Sequence, residues 1–465
     1  MSSRSYSPLV LVVAFFLYFL LTTPLGLFSD WVPLNLGSGF YSVTNIDPGD
    51  DSGYYAYLRS IFFDGDIDFY NEAHYAHVEK FTSTGYVFNN WQIGQSILFF
   101  PFFLLGHLWA LVMNILNFPV SLDGYSFPYY MSTALASQTY SFLGLLLTFQ
   151  INRKYFDDRV SLISTFLIWL ATPLLYYTFV RQRMAHTAEF FTAAFFILYW
   201  LNNRKSKERW RHAIFGFILG VLCVIRVINV VMIIIYLLDQ MQLGGKIDGV
   251  KDFFNRVFNI RTAFFYVFWL ITFSIQLLTW YKIDGVPLPA FHLELAKKES
   301  TGFSIQNFIN HSYDFFFGKR WGLLWSMPIV LLSIIGIIRS KIILGFRLSL
   351  AVTIFGYFLV VILLFDYLDA YEYRYLIPIL PIVLLGISFL ANKAFKSLIW
   401  CWLAIICAFT FIIVQYFIFI QYKITLDHSD PSYTIKAISN IPSILVSRPD
   451  LFLRSSNFLK LFFLC

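Results

Sequence analysis

Residues 398–421 read LIWCWLAIICAFTFIIVQYFIFIQ, a stretch without one acidic or basic side chain. As a helix it rises about 36 Å, enough to cross the roughly 30 Å hydrocarbon core of a bilayer. Working outward, comparable apolar runs lie at 375–391, 347–365, 322–338, 262–281, 184–203, 159–180, 129–150 and 8–28. The run 213–240 is too long for one ordinary span. Arg226 and Asn229 interrupt it, so it reads as two short helices with Arg226 near a membrane face. The pattern predicts an all-α, polytopic transmembrane helical bundle of about eleven spans.

Composition excludes the main alternatives. Of 465 residues, 58% are hydrophobic and 13% charged, with a mean hydropathy of +0.66. An ordinary soluble domain is about 45–50% apolar and about 25% charged, and disorder needs low hydrophobicity. Aromatics reach 20%, which suits lipid contact and interfacial belts. The net charge of +7 reads as loop cations facing anionic lipid rather than nucleic acid, because no basic-aromatic motif accompanies it. Cys223, Cys401, Cys407 and Cys465 show no CxxC pairing, so they build neither a disulfide framework nor a zinc site.

The loop charges orient the chain. The first apolar run lacks an A-x-A-like end and reads as a retained helix with Arg4 inside. The polar stretch 29–91 carries nine acids against Arg59 and Lys80 and belongs outside. Six segments would then face inward: the N-terminus, 151–159, 202–212, 239–261, 339–347 and 392–397. They hold 18 Lys/Arg and 6 Asp/Glu, whereas the remainder holds 16 and 21. That bias satisfies the positive-inside rule. Residues 92–118 are apolar enough to span, but a crossing there would send Arg153, Lys154 and the cations of 204–211 outside. We therefore expect a re-entrant or surface-lying helix pair on the outer side, broken by Pro101, Gly106 and His107. The chain divides into a membrane module, 1–422, and a short outer tail, 423–465.

Charges at the ends of apolar runs are functional candidates in a membrane protein, and four outer clusters stand out. In Asp47-Pro-Gly-Asp50-Asp51-Ser-Gly-Tyr54-Tyr55, a turn precedes a short helix. Asp50 or Asp51 could act as a general base or metal partner, or simply cap that helix. Asp64-Gly-Asp66-Ile-Asp68 with Glu72 loosely follows a calcium loop without matching it, and a solvated acidic turn fits as well. Arg181-Gln-Arg183-Met-Ala-His186 opens an apolar run, with Glu189 one turn below. Arginines at a helix start are out of place for the helix dipole, so they suit an anionic ligand, or else anchor the span. Glu372-Tyr373-Arg374 lies between two spans, and Arg226, Lys319 and Arg320 add cations on the same face. Together these suggest a phosphate site facing a carboxylate site, with Tyr54, Tyr55, His186, Glu372, Tyr373, Lys319 and Arg320 as further substrate contacts.

The ordered set of stretches DDSGYYAYLRSIFFDGDIDFYNE (50–72), NNWQIGQSILFFPFFLLGH (89–107), GKRWGLLWSMPI (318–329) and Glu372-Tyr-Arg374-Tyr375-Leu-Ile-Pro378 resembles the GT-C-type integral membrane glycosyltransferases. This is the superfamily of protein O-mannosyltransferases and the lipid A aminoarabinose transferase, and the local stretches look closest to a bacterial branch. The resemblance covers nearly the whole chain in its order of elements. It implies a GT-C-like fold with juxtamembrane helices in the first outer loop, and a polyprenyl-phosphate sugar donor. The acceptor, a lipid, glycan or protein, would enter from the outer face. It implies Asp50 or Asp51 as base or metal partner, and Arg374, with Arg181, Arg183 and Arg226, holding the donor phosphate. Inversion at the anomeric carbon and a bacterial inner-membrane, cell-envelope setting with a cytoplasmic N-terminus follow from it. A divalent metal ion is left open, because metal dependence varies in the superfamily. Departures are Gln92-Ile-Gly-Gln95 where some members have a proline pair, and a tail too short for an acceptor domain. Two other readings compete: a transporter or flippase of lipid-linked sugars, which would put charges mid-membrane and often repeats its halves, and a non-enzymatic subunit of an envelope glycan complex.

Overall fold

The computed structural model describes residues 7–22, 50–76, 81–179, 181–204, 206, 208–243, 250–288, 304–341, 346–364, 373–424 and 432–447. Its described residues are mainly helical, and the one extended pairing among them is an isolated bridge between Phe81 and Val87. The chain is an integral membrane protein. Four described helices are long and apolar enough to cross a bilayer: Gly94–Ile115, Ile260–Asp284, Arg374–Ala394 and Leu398–Ile418. Val227–Met241, Pro328–Arg339 and Arg347–Leu363 are shorter apolar helices.

In chain order, α1 (Ser7–Thr22) is followed by the loop helices α2 (Asp50–Arg59) and α3 (Tyr70–Ala76), then α4 (Gly94–Ile115), α5 (Phe127–Arg153), α6 (Asp158–Leu170) and α7 (Leu174–Phe179). Next come α8 (His186–Asn203), α9 (Arg209–Ile225), α10 (Ile233–Leu243), α11 (Val250–Val257), α12 (Ile260–Asp284) and α13 (Ile305–Phe317). The last set is α14 (Leu323–Ser326), α15 (Pro328–Arg339), α16 (Arg347–Leu363), α17 (Leu380–Ala394), α18 (Leu398–Ile424), α19 (Tyr433–Ser439) and α20 (Ile441–Ser447).

Breaks fall where the sequence removes a donor or inserts a polar group. The expected span 159–180 stops at Leu170, and Pro173, which has no N–H, precedes α7. The run 322–338 is likewise split, with Pro328 opening α15. In 213–240, α9 ends at Ile225, Arg226 is extended, and a 3-10 turn covers Val227–Met232. Buried Ser and Thr inside the helices return their hydroxyls to the chain, as in Thr148 to the Gly144 carbonyl and Thr192 to that of Ala188. The bundle core holds Trp169, Trp200, Tyr236 and Tyr357, all fully buried. Close packing of α9 on α12 depends on Gly216 and Gly220. A Cβ at Gly216 would lie 2.1 Å from the Phe265 carbonyl oxygen, the small-residue spacing of membrane helix pairs.

Segment 92–118 corrects the sequence reading. It is one helix, α4, rather than a pair. Pro101 sits inside it and its ring faces outward, so the interruption costs one backbone hydrogen bond and not the helix. Both ends of α4 are tied to the layer that contains α2. At its start, Ser96 donates to the Tyr54 carbonyl (2.6 Å) and Gln95 to that of Arg183 (3.1 Å). Beyond its end, the Asp123 and Gly124 carbonyls accept from Arg59 (3.0 Å) and Tyr55 (2.5 Å). Along its length Phe103 and His107 pack on Phe62 and Phe63. The helix therefore runs beside α2 instead of leaving it.

Candidate functional site: a carboxylate–arginine cluster

The cluster begins at the start of α2. Asp50 and Asp51 occupy its first turn, where the helix dipole favours negative charge. Asp50 is partly open and accepts two hydrogen bonds: Trp91 Nε1 at 2.9 Å and Arg374 Nη1 at 2.5 Å. Burial alone would raise its carboxyl, but Arg374, Arg181 and the Trp91 bond together hold it below the usual carboxylate value. Asp51 is fully buried. Its Oδ2 lies 3.4 Å from Arg181 Nε, and its Oδ1 has no hydrogen-bond partner. Here burial wins: the Asp51 carboxyl is pushed up, with Asp50 adding to the rise and Arg181 and Arg183 opposing it.

The first loop is registered on the bundle by residues 89–95. Asn89 donates to the Gly53 carbonyl at 3.0 Å, and Tyr57 to that of Trp91 at 3.0 Å. Gly53 has to be glycine, because a Cβ there would stand 1.9 Å from the Trp91 ring. Gln92 accepts from Val227 N (2.9 Å), satisfying an amide freed by the break after α9, and Gln276 accepts from Ile93 N (3.0 Å). Those contacts bring Asp50 under Arg374.

A second acid completes the cluster. Glu189, fully buried one turn into α8, lies 3.2 Å from His186 Nδ1 and 3.7 Å from Arg226 Nη1. The same Arg226 nitrogen is 3.3 Å from His186 Nδ1. Arg226 stacks over Tyr375 at 4.1 Å, and Arg374 approaches that ring at 5.3 Å. Asn229 supports this layer, accepting from the Tyr357 hydroxyl at 2.8 Å. Arg183 is turned inward to Thr133 Oγ1 (3.1 Å) and the Tyr130 carbonyl (2.8 Å). Three carboxylates thus meet four guanidinium groups drawn from the chain around 181–183, 226 and 374.

No protein-family model matches the chain, and no curated protein sequence does. Two crystal structures of the Archaeoglobus fulgidus oligosaccharyltransferase are similar to it. The apo form has a TM-score of 0.45 at 13% identity, covering 98% of this chain and 56% of that one. The complex with zinc and sulfate has a TM-score of 0.42 at 14% identity, covering 91% and 58%. The chain therefore spans a little over half the length of that enzyme.

Among the sequence candidates, Asp50, Asp51, Arg181, His186, Arg226 and Arg374 converge, with Arg183 beside them. Tyr54 is buried next to them on α2, and Tyr55 is buried on the far side against α4, donating to Gly124. Tyr373 points away, its hydroxyl donating to the Phe315 carbonyl at 3.0 Å. Lys319 and Arg320 pack by their backbones on α19, their carbonyls accepting from Ile435 N (3.2 Å) and the Thr434 hydroxyl. Glu372 lies outside the described residues. The acidic turn 64–72 is a salt-bridged cap: Arg59 reaches Asp64 and Glu72, both at 2.6 Å, and Asp66 and Asp68 accept from nearby amides.

Sequence reading did not assign roles to Trp91, Glu189 or Tyr375. Glu189 was legible from its spacing three residues after His186. Among the described residues, no group of three or more His, Cys, Asp or Glu is arranged to hold a metal.

Proposed function

We propose that the chain is a glycosyltransferase of the GT-C type. It would move a sugar from a polyprenyl-phosphate-linked donor to a lipid, glycan or protein acceptor at the outer face of a bacterial inner membrane, with its N-terminus cytoplasmic. The observation that carries this reading is the Asp50–Arg374 pair, set among an excess of guanidinium groups at one end of a membrane bundle. The order of motifs along the chain and the charge bias of its loops support it.

In the proposed reaction, Arg374 and Arg226 bind the donor phosphate, which suits their bidentate geometry. Arg374 exchanges Asp50 for that phosphate. Without its guanidinium partner, the Asp50 carboxylate becomes a stronger base. The acceptor hydroxyl oxygen attacks the anomeric carbon while its proton passes to Asp50. The bond from that carbon to the phosphate oxygen breaks, and the electron pair leaves on polyprenyl phosphate. Attack from the face opposite the leaving group inverts the configuration. Asp51 positions Arg181 and does not touch the reacting atoms.

The test is a transfer assay with purified protein in liposomes, using radiolabelled polyprenyl-phosphate sugars and envelope lipid and glycan extracts. Wild type should move label to an acceptor, and Asp50→Asn should lose transfer per folded molecule. Full transfer by Asp50→Asn would remove Asp50 from its role. Label carried across sealed liposomes without reaching any acceptor would replace the transferase with a flippase.

A further inference from the structure

At the opposite end of the bundle lies a lateral groove of about 830 Å³ between α6, α15, α17 and α18. Its walls are apolar, with Ile163, Leu167, Ile387 and Phe411 among them, and Arg159, Arg339 and Lys393 line it as well. These three stand at one end of it: Arg159 at the start of α6, Arg339 and Lys393 at the ends of α15 and α17. All three are exposed, and Arg159 lies 5.5 Å from the Phe395 ring. No ion pair joins any of them to a described carboxylate; nearby Asp158 is taken by Arg153 at 2.6 Å. α17 starts six residues after Arg374 and runs away from it, so Lys393 sits some 25–30 Å from the catalytic cluster.

The dimensions and charge select an occupant. From Arg159 to Leu170 the groove follows about 17 Å of helix, close to half of the roughly 30 Å hydrocarbon core. Three exposed cations above an apolar slot one leaflet deep complement a headgroup phosphate above acyl chains. We propose that this groove binds an anionic phospholipid of the leaflet opposite the Asp50–Arg374 cluster. Its phosphate would lie among Arg159, Arg339 and Lys393, and its acyl chains along Ile163, Leu167, Ile387 and Phe411.

The experiment is native mass spectrometry of the purified full chain, exchanged from detergent into defined lipid. Phosphatidylglycerol should be retained over phosphatidylcholine of the same acyl chains. Arg159→Gln/Arg339→Gln/Lys393→Gln should bind phosphatidylglycerol about a hundredfold more weakly, and Lys393→Gln alone about fivefold. Ala408→Trp, which fills the slot and leaves the cations in place, should lose the adduct too. All three charges are exposed, so their removal leaves the packing intact, and circular dichroism checks each variant. Equal retention of the two lipids, unchanged retention by the triple variant, displacement by polyprenyl phosphate, or a lipid-free dimer closed over the groove would overturn the proposal.

Discussion

Arg59 at the end of α2 reaches Asp64 and Glu72, five and thirteen residues along the chain. Asp50 and Asp51 at the start of the same helix are met by Arg374 and Arg181, 324 and 130 residues away. The two clusters use the same groups within one short helix, and they differ in where the carboxylates' partners come from. Around Arg59 the two carboxylate partners are local and tie a turn to its helix, with one further bond to the distant Asp123 carbonyl. Around Asp50 the partners arrive from distant elements, while each cluster keeps one buried carboxylate oxygen without a donor, Glu72 Oε2 in one and Asp51 Oδ1 in the other. A local pair can be made by the loop alone. A long-range pair forms only when the bundle assembles, so its geometry is available for a ligand that competes for the arginines.

The largest effect should come from breaking the distant pair. Asp50→Asn keeps the shape and the Trp91 bond but removes the base, and should lower transfer per folded molecule by about 10²–10⁴, a loss far larger than the modest fall in thermal midpoint expected from leaving Arg374 without its partner. The local pair should behave in reverse. Arg59→Gln leaves Glu72, which is 6% exposed, without its charge partner. It should cost about 2 kcal/mol of stability, read as a lower thermal midpoint, while transfer per folded molecule persists.

Between these lies Gly53→Ala, whose new methyl group meets the Trp91 ring. It should cost about 1–3 kcal/mol and also weaken transfer, because Trp91 holds Asp50. A variant that lost stability and kept full transfer would separate Trp91 from the site. The smallest effect is a pH signature. The Asp51 carboxyl is raised in the folded protein. Its contribution is therefore favourable below about pH 4 and is lost as pH rises through the folded value. Asp51→Asn escapes that loss. Its thermal midpoint should exceed that of wild type at neutral pH, and the gap should close as pH falls toward 4.

The same contrast explains what could be read in advance. The apolar runs, the interruption at Arg226 and the helix beginning at Asp50 are properties of neighbouring residues, so they were legible. The partners of Asp50 and Asp51 were not, because no local spacing records a contact over 324 residues. Tyr373 was misplaced for a related reason: it adjoins Arg374 in sequence, yet the 3-10 turn that opens at Arg374 leaves it against Phe315. Residues 92–118 were expected as a pair because Pro101, Gly106 and His107 looked like breaks, whereas all three sit within one helix and a proline on its outward side removes only one bond.

The most direct measurement is calorimetric binding of polyprenyl phosphate to the purified protein, comparing wild type with Arg374→Gln, Arg226→Gln and Arg59→Gln. Loss of binding in the first two variants, with Arg59→Gln retaining it, is the predicted result. Equal binding by all four proteins would contradict the assignment of the long-range cluster as the phosphate site.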